Sequence, residues 1–118
     1  MKSNYTGIAR IFRAFGNSWA GARSAFQNEA AFRQDILVFI IGTIVLLMLP
    51  VMWWRRALMF ASLIFILIAE LINTAIENTI DRIGPEYHEL SKRAKDIGSA
   101  VVLLAFVCAI VVWVGMLV

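Results

Sequence analysis

The residues best suited to chemistry are polar side chains inside an otherwise apolar stretch, ELINTAIENTID. Five of them stand at positions i, i+3, i+4, i+7 and i+11, which a helix gathers into one stripe. They are Glu70, Asn73, Thr74, Glu77 and Asp81. A carboxylate within a membrane is costly unless it faces protein or water, and it is by default a functional-site hypothesis. If this stretch crosses a membrane, the stripe is therefore the first candidate site.

A further carboxylate, Glu29, opens the first apolar segment on the side where Glu77 closes the second. Antiparallel packing of the two segments can bring these carboxylates together. Mg²⁺ suits such a pair, because proteins commonly hold it through one or two carboxylates together with nucleotide phosphates. No His or Cys cluster competes for a softer metal. The alternative is that Glu77 pairs with Arg82 or Lys95 and that Asn73 only joins two helices.

The composition sets the class of protein in which these side chains must work. Of 118 residues, 61% are hydrophobic and 16% are charged, whereas soluble domains average about 45–50% apolar and about 25% charged. This excludes a soluble globule and a disordered chain. A single Cys108 excludes a disulfide framework, and a net charge of +3 is too small to indicate nucleic-acid binding.

Three apolar segments are long enough to cross a membrane, at about 20 residues per crossing. We predict an all-α membrane protein formed by one domain, 1–118, with transmembrane helices at about 29–52, 57–80 and 97–118 and a cytoplasmic loop at 81–96. Asn28 is a plausible N-cap for the first span, which would place Glu29 in its first turn. Gly84 and Pro85 should break the chain after the second span, and Pro85 suits the first position of a restarting helix.

The segment before the first span is also patterned. Apolar residues recur at spacings of three and four and predict an amphipathic helix at about 7–26, lying in the inner membrane interface. They are Ile8, Ile11, Phe12, Phe15, Trp19, Ala22 and Phe26. The simpler alternative is that this helix is only a topological anchor.

The basic residues predict the orientation of the spans. Nine of the 11 Lys and Arg residues lie at 1–35 or 81–96, and the other two are Arg55 and Arg56. The nine are Lys2, Arg10, Arg13, Arg23, Arg33, Arg82, Lys92, Arg93 and Lys95. The positive-inside rule then places the N-terminus and the 81–96 loop in the cytoplasm.

The segment ELINTAIENTID, together with NEAAFRQ at 28–34 and DRIGPEYHELSKRAKDIGSA at 81–100, resembles the small bacterial integral-membrane diacylglycerol kinases over nearly the whole chain. The resemblance implies a homotrimer of three-span subunits in the bacterial cytoplasmic membrane, each with a surface helix. It also implies phosphorylation of diacylglycerol to phosphatidic acid at the inner face, with ATP as co-substrate and Mg²⁺ as cofactor.

The same resemblance assigns roles to particular residues. Glu29 and Glu77 match metal ligands that bridge to ATP phosphates; Glu70 matches the residue that accepts the proton of the lipid hydroxyl, and Asn73 helps to order that site. The nucleotide-binding positions are Arg10, Asn17, Glu29, Glu77, Glu86, Tyr87, His88, Lys95 and Asp96. The lipid-binding positions are Arg10, Trp19, Arg56, Glu70, Ser99 and Trp113. Asn17 is a departure, because relatives often carry Tyr there.

Two other functions fit parts of the pattern. An undecaprenol kinase would share the ExxNxxxE stripe, although NEAAFRQ and RIGPEYHELS favour diacylglycerol. A proton-coupled transporter or non-catalytic subunit would use Glu70 as an intramembrane proton site, but it would need a polar stripe reaching the outer half of the membrane, where 57–69 offers only Ser62. Three helices can hardly enclose both ATP and a lipid, so we expect a kinase site shared between subunits.

Overall fold

The computed structural model describes residues 6–118 and folds them into four α-helices. These are α1 (Gly7–Asn28), α2 (Ala30–Met48), α3 (Trp53–Ile83) and α4 (Glu89–Leu117). Three of them, α2, α3 and α4, are long and apolar enough to cross a membrane, with mean hydropathies of 1.9, 2.1 and 2.9. The prediction of an all-α chain with three helices long and apolar enough to span a membrane is confirmed.

Helices α3 and α4 extend beyond the predicted spans into the segment that was expected to be a loop. With 31 residues, α3 is about 46 Å long at 1.5 Å per residue, which exceeds a hydrocarbon layer of about 30 Å. Lys95 on α4 donates to Asp81 on α3 at 2.9 Å, so the two helices stay joined where they leave the apolar region. Only residues 84–88 connect them.

The break at Gly84 is confirmed, but the restart was predicted at the wrong residue. Gly84 ends α3 with φ 157° and ψ 164°, and the next helix begins at Glu89 rather than Pro85. His88 is its N-cap, because the Nδ1 atom of His88 accepts a hydrogen bond from the backbone N–H of Leu90 at 3.0 Å. A side-chain acceptor at this position satisfies one of the free N–H groups of the first turn.

The start of α2 also differs from the prediction. Asn28 is the last residue of α1, and the N-cap of α2 is Glu29, whose backbone is extended at φ −119° and ψ 111°. Arg33 stabilises the junction of α1 and α2. Its Nη1 atom donates hydrogen bonds to the backbone carbonyls of Phe26 at 2.7 Å and Gln27 at 3.2 Å. The Glu29 side chain makes no capping bond, so its carboxylate remains available at the junction of α1 and α2.

Helix α3 is the centre of the bundle and packs against both α2 and α4. Small side chains let α4 approach closely, and its Ala105 and Ala109 are buried against Ile66 and Ala69 of α3. Nearer the C-terminus, the Trp113 indole N–H lies within hydrogen-bond range of both the Met59 carbonyl (3.2 Å) and Ser62 Oγ (3.1 Å). These contacts fix α4 along the length of α3.

The face of α2 that packs on α3 carries residues at helical spacing. The Phe39 ring lies 5.4 Å from that of Phe60, measured between centroids. One turn further along, Gly42 brings the two helices together, because a Cβ at this position would lie 3.0 Å from Leu63 Cδ1. Leu46 on the same face is fully buried.

Arg56 closes the connection between α2 and α3. Its guanidinium donates to the carbonyls of Leu46 at 2.9 Å, Leu49 at 3.0 Å and Val51 at 3.4 Å. Carbonyls at a helix C-terminus lack partners within the helix and carry partial negative charge, so a guanidinium stabilises them. Arg55 makes a similar bond to the Met116 carbonyl near the end of α4, at 2.9 Å.

Candidate active site

Four carboxyl groups gather where the N-terminal part of α2 meets the second half of α3. Asp35 and Glu70 are buried, with 9% and 6% of their surface exposed, and their side chains lie within hydrogen-bond range of each other. Glu29 and Glu77 are half-buried, and the charges of both act on the Glu70 carboxyl. The structure thus brings acidic groups of two helices into electrostatic contact around Glu70.

Asp35 is the member of this group that the sequence reasoning missed. It directly precedes the uncharged part of the first span, so it was counted as the edge of an apolar run. Its spacing contains the signal, because Asp35, Phe39, Gly42 and Leu46 stand at i, i+4, i+7 and i+11, on the face that packs against α3. An acidic residue on an inward face is a candidate partner for the Glu70 stripe.

Asn73 connects the stripe to α4. Its Nδ2 atom donates to Glu77 Oε1 at 3.3 Å, while its Oδ1 atom is buried with no hydrogen-bond partner among residues 6–118. That oxygen lies against the backbone of Gly98 on α4. Thr74, next in the stripe, is also buried. The part of the stripe at Glu70, Asn73 and Thr74 therefore faces the interior of the bundle, as expected of polar groups in a membrane helix, whereas Asp81 at its end is exposed.

The acidic group has no basic partner within the described part of the chain. The ion pairs found in residues 6–118 join Lys92 to Asp96 at 2.7 Å, Arg93 to Glu89 at 3.6 Å and Lys95 to Asp81 at 2.9 Å. Lys95 therefore pairs with the end of the stripe and reaches Glu77 only through a longer-range interaction. The alternative in which Glu77 is a simple ion-pair residue does not describe this structure.

The carboxylate oxygens of this acidic group suit a hard divalent cation whose remaining ligands come from phosphate or water. Carboxylate oxygens without a counter-charge suit Mg²⁺, and Asp35 Oδ2 is buried without a hydrogen-bond partner in the described residues. No group of three or more His, Cys, Asp or Glu side chains in residues 6–118 could hold a metal alone. Phosphate or water oxygens would have to complete the coordination, which is the usual situation for Mg²⁺ in nucleotide-using enzymes.

The residues assigned to nucleotide contacts lie around the 84–88 connection and on the exposed parts of α1 and α4. Glu86 and Tyr87 are exposed in the connection, His88 caps α4, and Asp96 is paired with Lys92. Arg10 and Asn17 are exposed on α1. Of this set, Glu29 and Glu77 act on the Glu70 carboxyl through their charges.

The residues assigned to lipid contacts are more widely spread. Trp19 and Ser99 are exposed on α1 and α4, and Ser99 directly follows the buried Gly98. Arg56 lies about 21 Å along α3 from Glu70, at 1.5 Å per residue. The Trp113 indole N–H lies within hydrogen-bond range of the Met59 carbonyl and Ser62 Oγ, in the same distant half of α3. A single chain does not bring these two residues to the acidic group.

Its fold and composition identify the chain as a helical membrane protein. Toward one end of the bundle lies a group of carboxylates that has no basic partner in the described residues. Residues 16–117 match the family model for prokaryotic diacylglycerol kinase. The chain is 47% identical over 113 residues to the diacylglycerol kinase of Escherichia coli (strain K12), covering 96% of this chain and 93% of the relative.

Two further relatives extend the similarity. The diacylglycerol kinase of Pseudomonas aeruginosa is 46% identical over 112 residues, covering 95% of this chain and 91% of that protein. That of Haemophilus influenzae is 39% identical over 112 residues, covering 95% of both chains. The chain belongs to the prokaryotic diacylglycerol kinase family, which confirms the resemblance seen in its motifs.

Proposed function

We propose that this protein transfers the γ-phosphoryl group of ATP to the primary hydroxyl of diacylglycerol, forming phosphatidic acid at the inner face of the bacterial cytoplasmic membrane. The observation that carries the proposal is the line of carboxyl groups from the buried Glu70 to the half-buried Glu77, in a chain of a lipid kinase family. The line reaches from the apolar interior, where a lipid arrives, toward the end where ATP arrives.

Glu29 and Glu77 are the residues that would hold Mg²⁺ together with ATP phosphates. Bound there, the cation would neutralise charge on the phosphates as phosphoryl transfer proceeds. The loose transition state of phosphoryl transfer leaves the protein mainly to orient the acceptor and to balance charge. Two observations support these roles of Glu29 and Glu77. The Glu29 side chain makes no capping bond at the α1–α2 junction, and Asn73 donates a hydrogen bond to Glu77.

Glu70 is the residue that we assign as proton acceptor. It lies deeper than Glu77 by seven residues, about 10 Å along the helix, so it meets the lipid hydroxyl from the bilayer side. Asp35 lies within hydrogen-bond range of Glu70 and orients its carboxyl group. General-base assistance of this kind contributes about 10²–10⁴-fold to a rate.

The N-terminus and the 84–88 connection lie in the cytoplasm in this proposal, following the distribution of Lys and Arg. Lys2 contributes to that distribution but lies outside the described residues. Helix α1 lies in the inner interface as an amphipathic helix, and the exposure of Ile8 (72%), Phe12 (72%) and Phe15 (71%) supports this placement. Arg10 and Trp19 on the same helix would then meet the lipid headgroup region.

The active unit in this proposal is a homotrimer with sites shared between subunits. Only 11% of the most apolar window of α4, and 17% of that of α2, is buried within the single chain. Tyr87 and Ser99, at nucleotide and lipid positions, are exposed in the single chain. A neighbouring subunit can supply the missing walls of the site.

The proposal is tested by incubating purified protein with labelled ATP, Mg²⁺ and either diacylglycerol or undecaprenol in mixed micelles. Label in phosphatidic acid supports it. Label in undecaprenyl phosphate alone would reassign the substrate, and label in neither lipid would favour a transporter or a non-catalytic subunit. Omitting Mg²⁺ in the presence of a chelator is the matched control for the cation.

A further inference from the structure

The amide group of Asn73 is confined between two helices. On one side its Nδ2 atom donates to Glu77 Oε1 at 3.3 Å. On the other side its Oδ1 atom is buried against Gly98 of α4 and accepts no hydrogen bond from residues 6–118. The opposite amide orientation would point the oxygen at the Glu77 carboxylate, which repels it. Only one of the two amide orientations therefore lets Asn73 donate a hydrogen bond to Glu77.

Gly98 is the residue that leaves space for this orientation. A Cβ atom at 98 would overlap Asn73 Oδ1, whereas its next contacts, Asn73 Cγ at 3.4 Å and Ile76 Cδ1 at 3.5 Å, would be ordinary. The backbone does not require glycine here, because the positive φ angles among the described residues belong to Gly7 and Gly84. Glycine inside a helix costs about 1 kcal/mol relative to alanine, and at Gly98, unlike Gly115, the contact with Asn73 supplies a reason based on space.

We infer that Gly98 is a positioning residue of the active site: its bare backbone fixes the Asn73 amide so that Asn73 holds the Glu77 carboxylate. The inference rests on the proposed role of Glu77 in binding Mg·ATP. The bond from Nδ2 to Glu77 turns Oδ1 toward α4, although a buried unpaired oxygen is unfavourable. The absence of a Cβ at Gly98 leaves the space that this orientation needs.

The variant Gly98→Ala tests this directly. The obstructed atom is the end of a rotatable side chain, so the amide turns away from Glu77 and the helices stay packed. Loss of a hydrogen bond to a charged group raises the KM for Mg·ATP about tenfold, while the KM for diacylglycerol stays unchanged. The midpoint of thermal unfolding does not fall, because alanine favours the helix.

Gly115→Ala on the same helix is the matched control. It makes the same chemical change, and a Cβ there meets nothing within 4 Å. We expect wild-type kinetics from it. A second readout needs no catalysis: in protein labelled with ¹⁵N-asparagine, the side-chain amide signal of Asn73 shifts in Gly98→Ala and not in Gly115→Ala. The signal is assigned by its loss in Asn73→Ala.

The double variant separates positioning from packing. Asn73→Ala removes the obstructed oxygen, so adding Gly98→Ala to it should raise the KM for Mg·ATP no further. The inference would be overturned if the two substitutions raised the KM for Mg·ATP additively. It would also be overturned by a lower unfolding midpoint with equal changes in both KM values, or by an unshifted Asn73 amide signal. If the parent protein phosphorylates no lipid, the proposed function fails, and the amide signal still decides the role of Gly98.

Discussion

Replacement of Glu70 by Gln should make the protein more stable and nearly inactive. Glu70 is 6% exposed, lies beside the Asp35 carboxyl and feels the charges of Glu77 and Glu29. No basic side chain in residues 6–118 pairs with any of the four. Glutamine keeps the size and hydrogen-bonding capacity of the side chain but removes its charge. Repulsion within the acidic group therefore falls, and so does the capacity to accept a proton.

The size of the stability gain follows from Coulomb's law. The charges of Glu70 and Glu77, about 10 Å apart along α3, repel by about 1.7 kcal/mol at an effective dielectric constant of about 20, and the charge of Glu29 adds to this repulsion. The group opens toward the half-buried Glu29 and Glu77, where water screens the charges, so we expect a net gain of about 1–2 kcal/mol. For a chain of this length that raises the unfolding midpoint by about 4–8 °C. Tryptophan fluorescence in micelles can follow the transition.

Activity and nucleotide binding should separate in the same variant. Loss of general-base assistance slows single-turnover phosphoryl transfer by about 10²–10⁴-fold, while equilibrium binding of Mg·ATP is retained. Glu89→Gln is the matched control, because Glu89 is exposed and pairs only with Arg93 at 3.6 Å. It should leave the rate unchanged and lower stability by no more than about 0.3–1 kcal/mol, the contribution of a carboxylate in the first turn of a helix. A destabilised Glu70→Gln protein would refute the electrostatic argument, and a near-normal rate would refute the assignment of the base.

Substitutions at three further positions test other parts of the site and fold. Glu77→Gln should abolish turnover by removing Mg·ATP binding, measured by equilibrium titration; retained binding would contradict its role as a ligand. Asp35→Asn, which can still hydrogen-bond to Glu70, should lower kcat less than Asp35→Ala, with equal Mg·ATP affinity in both; equal losses in kcat would remove its orienting role. Arg56→Met should lose about 2–4 kcal/mol of stability through its broken bonds to helix carbonyls, with an unchanged KM for lipid. A raised lipid KM without lost stability would instead make Arg56 a lipid contact.

The sequence predicted those parts of the molecule that depend on periodicity along one helix. The spacing of Glu70, Asn73 and Glu77 placed them on one face, and the three uncharged runs predicted the three spans. Both results depend only on the 3.6-residue repeat and on hydropathy. The extent of helix in 81–96 was underestimated and its restart was predicted at Pro85, because charged residues that leave the membrane can remain helical when a partner helix supports them, as Lys95 supports Asp81.

Contacts between helices could not be predicted in the same way. Asp35 became a site residue only when α2 packed against α3 and placed it beside Glu70. The role of Gly98 depends on the distance between α3 and α4, which no pattern within α4 fixes. Arg56 is a further example, because no pattern along α3 indicated that its guanidinium would bind three backbone carbonyls between α2 and α3.

The spacing of Glu70 and Glu77 constrains how the two substrates meet. Their positions differ by about 10 Å along α3, yet the acceptor oxygen and the transferred phosphorus must approach to about 3–3.5 Å. In the proposed mechanism the γ-phosphate therefore reaches inward from Glu77, and the lipid hydroxyl rises to the level of Glu70. A glycerol hydroxyl lies near the headgroup boundary while its acyl chains stay in the bilayer, so it can occupy that level without leaving the membrane. A soluble alcohol has no such anchor, and its attack would lack the orientation that the bilayer gives to a lipid.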